Sequence, residues 1–172
     1  MPHPVLRIGV MELRRRPGTQ RDVRITTTLP GLQITGSRVP DDAELVVDAT
    51  LESVEGTAVT VSGTVEVPWT AECRRCLDEV AGRVTVDLSE VFEVQPVEGE
   101  TYPIDGDEVD LEPVVRDAAL LNLPLAPLCR PDCAGPAPDA FPTVVEGDEP
   151  EAQESAPDPR WAALDDLTFD SD

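Results

Sequence analysis

Two close cysteine pairs restrict what this chain can fold into more than any other feature. Cys73-Arg74-Arg75-Cys76 and Cys129-Arg130-Pro131-Asp132-Cys133 hold all four cysteines. A CxxC and a CxxxC together make one complete set of tetrahedral zinc ligands. The pairs are far apart in sequence, so a fold that uses them as one site must bring two distant turns face to face. Three readings of the tetrad stand side by side: structural zinc on Cys73, Cys76, Cys129 and Cys133, thiols without metal, and a redox CxxC. Zinc closed by four thiolates keeps no position for water, so the first reading is structural, not catalytic. Arg74 and Arg75 are expected to lower the thiol pKa values, which serves metal and redox chemistry alike.

A metal clip suits the rest of the composition. The chain has 172 residues, 40% hydrophobic but only 3% aromatic. Its core must therefore be built from Val, Leu, Ile and Ala, and a lean core gains from a staple. No apolar run approaches the ~20 residues of a membrane helix, and residues 1–10 lack the pattern of a secretion signal. The cytoplasm is the expected compartment, where thiols stay reduced and paired cysteines read as metal ligands. No membrane contact is expected, and a monomer is.

The net charge of −22 is unevenly spread, and all thirteen basic residues are arginine. Seven of them (Arg7, Arg14, Arg15, Arg16, Arg21, Arg24, Arg38) fall in residues 1–40 against Glu12 and Asp22, whereas residues 134–172 hold eleven acids against Arg160. Such a surface repels nucleic acid over most of its area, so any RNA contact must be local. Arg14, Arg15, Arg16, Arg21 and Arg24 are the candidates. The competing reading is a solvated basic loop paired with the protein's own acids. Interleaved aromatic residues are absent there, which argues against base stacking. The acidic body suits a basic protein partner.

Hydrophobic periodicity points to an α+β fold, mainly antiparallel sheet with one principal helix. Residues 5–13 read as a short mixed segment, 14–18 as a polar turn and 23–29 as a strand. Leu45, Val47, Ala49 and Leu51 alternate with polar residues, Glu55-Gly56 makes a tight turn, and Val59, Val61, Gly63, Val65 and Val67 alternate again: a β-hairpin. Val84, Val86, Leu88, Phe92 and Val94 give another strand. The first cysteine pair falls between strands ending near Ala71 and starting near Arg83, as a knuckle turn. Asp105, Asp107, Glu108 and Asp110 are expected to lead into a helix, with Asp110 as N-cap and Pro113 in the first turn; a metal or acid pair there is the lesser reading. Leu111, Val114, Val115, Ala118 and Leu121 would form the helix's apolar face, and Pro124 and Pro127 its stop. The helix then delivers Cys129 and Cys133 toward the hairpin. Trp69 is expected to fill core. Residues 134–172 form an acidic Pro-rich tail expected to be disordered, with a possible short docking helix at residues 158–164 carrying Trp161. Residues 1–133 form the β-rich domain.

No catalytic residue is expected. The one histidine, His3, lies near the terminus, so Ser, Cys or Thr nucleophiles lack a base, and no carboxylate pair stands out.

Several motifs carry a resemblance. Glu12-Leu13 with Arg15-Arg16-Pro17-Gly18, Leu51-Glu52-Ser53-Val54 and Val61-Ser62-Gly63-Thr64-Val65 are supportive. Cys73-Arg74-Arg75-Cys76-Leu77 looks like a CxRCL motif. The stretch Asp110-Leu111-Glu112-Pro113-Val114-Val115-Arg116-Asp117, followed by Leu123-Pro124-Leu125-Ala126-Pro127-Leu128-Cys129-Arg130-Pro131-Asp132-Cys133, is the specific one. With Asp158-Pro159-Arg160-Trp161-Ala162-Ala163-Leu164 they resemble the YceD family of large ribosomal RNA subunit accumulation proteins, in its high-GC bacterial form. The resemblance implies a non-enzymatic factor for 23S rRNA accumulation or processing and large-subunit assembly. Its implied partners are a pre-50S particle or 23S rRNA, a basic ribosomal protein, or both. An adaptor or holdase that binds the basic protein without touching RNA is the alternative. Many relatives continue with Gly-Leu-Cys-Pro-x-Cys-Gly, where this chain has Gly135-Pro136-Ala137-Pro138-Asp139. The four cysteines that remain still form one full ligand set.

Overall fold

The computed structural model describes residues 6–140. They are mostly β-sheet with few helices. In chain order the elements are β1 (Arg7–Gly9), α1 (Met11–Arg14), β2 (Gln20–Thr27), β3 (Ser37–Arg38), β4 (Leu45–Val54), β5 (Ala58–Glu72), β6 (Glu79–Glu93), β7 (Tyr102–Asp105), β8 (Glu108–Asp110) and α2 (Glu112–Asn122). The chain divides into two compact units, Met1–Pro136 and Ala137–Asp172. All ten elements belong to the first. In the second, the described residues make one turn, Ala140 N–H donating to Ala137 O. The expectations for residues 141–172, the 158–164 helix and Trp161 among them, lie outside the described residues, as does His3.

Strands run in the order β1-β8-β7-β6-β5-β4-β2, with β3 paired to β5. Every pairing is antiparallel except β6–β7. Alternation dictates which side is wet. Leu45, Val47, Ala49 and Leu51 of β4 and Val59, Val61, Val65 and Val67 of β5 are buried, and they pack with Val86, Leu88 and Phe92 of β6. At the β4–β5 turn, Glu55 and Gly56 both have positive φ (52° and 74°), and Thr57 N–H donates to Val54 O. Two left-handed central residues match the twist of a hairpin, and glycine carries the second without strain. Gly63 interrupts the valines of β5 for another reason: a Cβ there would collide with Asp48 O and Ala49 Cα of β4. Trp69 lies across the strand pair from Gly82 and covers it, half-buried against the core. Phe92 and Tyr102 stack at 5.3 Å between centroids.

Three local expectations are corrected. Residues 105–110 lead into the helix as strand rather than as a capping turn: they form the β7–β8 hairpin around Gly106, and β8 pairs with β1. The reason is that Ile104 and Val109 each bury one apolar side chain. Asp110 still satisfies the helix start, its Oδ1 accepting from Glu112 N–H at 3.0 Å, but from one residue outside the cap position, which is Leu111. The helix face is also shorter than expected: Leu111, Val114 and Val115 are buried and Ala118 packs against the core, with Ala119 buried beside them, whereas Leu121 is 83% exposed. At 3.6 residues per turn Leu121 lies only ~20° in direction from buried Val114, so direction alone does not account for its exposure. Val94 falls beyond the end of β6 and is exposed.

Candidate metal centre

Both cysteine pairs are placed by backbone geometry. β5 and β6 pair along their whole length, from Ala58↔Glu93 to Glu72↔Glu79, so the first pair is the tip of a long hairpin. Cys73 N–H donates to Asp78 O at 2.7 Å and Leu77 N–H to Cys73 O at 2.9 Å. Closing this turn puts Leu77 in the left-handed region, φ 64°. The second pair follows α2. Pro124 O accepts from Ser37 Oγ at 2.9 Å, and the chain at Leu125 passes so close to Gly36 that a Cβ there would lie 2.5 Å from Leu125 O. Arg74 N–H then donates to Pro127 O at 2.9 Å. Arg75 binds the far turn itself, its Nη1 donating to Pro131 O (3.1 Å) and Cys133 O (2.9 Å).

The four sulfurs converge. Cys73 Sγ lies 3.8 Å from Cys133 Sγ, and Cys76 Sγ lies 3.7 Å from Cys129 Sγ. All four lie within 4.8 Å of one another. A tetrahedral zinc with Zn–S of about 2.3 Å requires S···S separations of ~3.8 Å. Cys73 and Cys133 are buried, Cys76 is half-buried and Cys129 is exposed; all are free thiols. The donor set therefore fits a structural zinc ion closed by four thiolates.

Electrostatics distinguish Cys73 from Cys76 and Cys129. Backbone N–H groups of Cys76, then Cys129, then Arg75 point at Cys73 Sγ and lower its pKa to about 6, against the effect of burial; the Cys129 N–H lies at 3.4 Å. The Asp78 N–H acts in the same direction on Cys76, but burial and its neighbours Cys73, Asp78 and Cys133 outweigh it and push Cys76 up to about 12. Cys129 is raised by its contact with Cys133 and by burial. Amides, not arginine side chains, activate Cys73. The expectation that Arg74 and Arg75 depress the thiol pKa values is corrected accordingly; the Arg75 guanidinium is spent on carbonyls.

The arginine candidates for RNA do not form one patch. Arg14 is held by Gly56 O, Gly106 O and Asp107. Arg15 pairs with Glu12 and Arg24 with Asp48, and Arg21 donates to Gly9 O. Arg16 alone of the five has no side-chain partner among the described residues. The acids of the β7–β8 hairpin act as ion-pair partners: Asp105, Glu108 and Asp110 surround Arg7 at 3.4–3.6 Å. Sequence reasoning missed Ser37, Gly36 and the role of Arg75, because each acts on a carbonyl of a distant segment and carries no motif of its own.

Among the described residues no helix is long and apolar enough to cross a membrane. No solved structure matches the chain. Uncharacterized proteins of Mycobacterium tuberculosis and Mycobacterium bovis are each 38% identical over 168 residues, covering 91% of this chain and 78% of theirs. One from Mycobacterium leprae is 33% identical, covering 92% and 75%. The family described as "Large ribosomal RNA subunit accumulation protein YceD" matches residues 61–168. That span takes in both knuckles and the helix between them, and the chain belongs to the YceD family.

Proposed function

We propose that this protein is a non-enzymatic factor that supports 23S rRNA accumulation and assembly of the large ribosomal subunit in the cytoplasm, with one structural zinc on Cys73, Cys76, Cys129 and Cys133. The family match carries the functional half, and the family name speaks of large-subunit RNA accumulation. The convergence of four sulfurs supports the zinc. If bound, the ion would clip the turn after α2 to the β5–β6 tip and supply no reacting group, since four thiolates leave it no open position. The partners proposed are a pre-50S particle or 23S rRNA, a basic ribosomal protein, or both.

A second reading has its own observation. Four of the five arginines assigned to RNA are engaged within the protein, while the chain carries a charge of −22. This favours an adaptor that holds a basic protein and leaves RNA alone. Deleting the gene should lower mature 23S relative to 16S rRNA, and a Cys73→Ser/Cys129→Ser copy should not restore it. An unchanged ratio in a clean deletion would overturn the assignment. Crosslinking in cells separates the two readings, by recovering RNA at Arg16 or protein on the acidic face.

A further inference from the structure

The inner edge of β6 is the longest unused hydrogen-bonding row among the described residues. β5 covers one side of β6 completely. On the other side β7 pairs only with Phe92 and Glu93. The direction of each amide follows from the ladder. Cys73 N–H donates to Asp78 O, so positions 78, 80, 82, 84, 86 and 88 direct their N–H and C=O groups toward β5. By antiparallel alternation, residues 79, 81, 83, 85, 87 and 89 direct theirs outward. Pro68 supports this parity: it lacks an N–H and sits at a β5 position whose amide would point away from β6. Ala81, Arg83, Thr85, Asp87 and Ser89 are all exposed, and no described residue outside β5 hydrogen-bonds their backbone. The free row spans ~30 Å at about 3.3 Å per residue.

We infer that this edge receives an extended segment of a basic protein as an added strand, with Lys or Arg on one face of the segment and aliphatic residues on the other. A free edge supplies the backbone template for such pairing. Charge selects the occupant. The solvent face of the hairpin carries Glu66, Glu72, Glu79 and Asp87; Glu72 stands directly opposite Glu79, a like-charge pair that a cation between them would relieve. The one arginine on this face, Arg83, lies 4.0 Å from Glu66. On the opposite face Val80, Gly82 and Val84 are half-buried and extend the apolar side to any neighbour. A second copy would bring the same carboxylates and the same −22 charge to the edge, and RNA offers phosphates where the edge presents acids. The inference deepens the adaptor reading above and rests on it for the partner's charge.

The test uses the full chain, labelled for amide exchange, and a synthetic peptide of about ten residues alternating Lys and Val. Binding should slow exchange at Ala81, Arg83, Thr85, Asp87 and Ser89, while Val84 and Val86, already bonded to β5, stay as they are. Thr85→Pro removes one outward N–H at an edge position that tolerates proline; it should weaken the peptide about tenfold with little change in melting temperature. Should that variant fail to fold, Glu79→Lys with Asp87→Lys keeps the edge intact, reverses its charge and should weaken binding by a similar factor. Equal affinity for a Glu–Val peptide, binding without the alternate-residue pattern, or edge protection that grows with protein concentration alone would overturn the inference; the last would identify a second copy as occupant. Because the assay reads purified protein, its failure leaves the rRNA phenotype free to succeed, and the reverse.

Discussion

The two halves of the metal centre are held by different means. The Cys73–Cys76 turn closes a continuous antiparallel ladder and would keep its shape with no ion present. The Cys129–Cys133 turn lies in a segment without regular structure. It is tied down by a few single contacts, from Ser37, Arg74 and Arg75. A metal site can thus be half scaffold and half guest: the sheet sets where the ion sits, and the ion fixes what the sheet does not.

The largest expected effect comes from removing the ion. A chelator, or Cys129→Ser, should lower the melting temperature by on the order of 10 °C, equivalent to a few kcal/mol. Hydrogen exchange should rise steeply in residues 124–136 and barely change in the β5–β6 ladder. Equal loosening of both turns would mean the first half depends on metal as much as the second. Next comes Arg75→Ala. It cuts two hydrogen bonds to the second turn, one of them to the backbone of Cys133, while leaving all four thiols in place, and should weaken zinc by ~10–100-fold, the usual cost of losing a supporting contact. Competition with a chromophoric chelator would measure it, and Arg75→Lys should recover part of the loss.

Acidity should resolve the halves further. With the Cys73 pKa lowered to about 6 and that of Cys76 pushed up to about 12, metal-free protein at neutral pH should show thiolate absorbance from Cys73 and none from Cys76. Zinc must displace the Cys76 and Cys129 protons, so affinity falls as pH falls. The signs in metal-free protein are opposite. The Cys73 contribution to stability is full above the ordinary thiol pKa of 9.0 and is lost as pH drops through about 6. The Cys76 contribution is full below 9.0 and is lost as pH climbs toward about 12. Stability titrations of Cys73→Ser and Cys76→Ser would separate them. The smallest effect belongs to the helix that joins the halves: Leu121→Glu should change stability by less than about 0.5 kcal/mol, because the side chain is in water, whereas Val115→Ala should cost roughly 1–2 kcal/mol.

What could be read in the sequence follows the same division. The β4–β5 hairpin was legible because Leu45 to Val67 alternate at strict strand period and Glu55-Gly56 marks the turn. The knuckle between strands was legible for the same reason. The β7–β8 hairpin was not: each strand has one buried apolar residue, Ile104 or Val109, amid acids that also suit a helix start. Leu121 misled because helical spacing gives direction and not burial: it shares the direction of Val114 to within ~20°, yet one is buried and the other in water. The convergence of the cysteines was legible only as chemistry, from the count and spacing of ligands, since the contacts that produce it join residues with no local signal. The arginine partners were hidden likewise: Asp107 and Gly106 meet Arg14 only after the sheet has closed.

The hairpin tip has a consequence in time. Cys76 and Cys129 are 53 positions apart, and ribosomal synthesis at roughly 5–20 residues per second delivers the second several seconds after the first. The β5–β6 turn is local and closes within microseconds of both strands being available. For most of those seconds a nascent chain displays two thiols, correctly spaced and without their partners, as an open half-site to any soft metal or oxidant nearby. The order of the motifs along the chain makes each newly made molecule pass through that exposed state, and the arrival of α2 ends it.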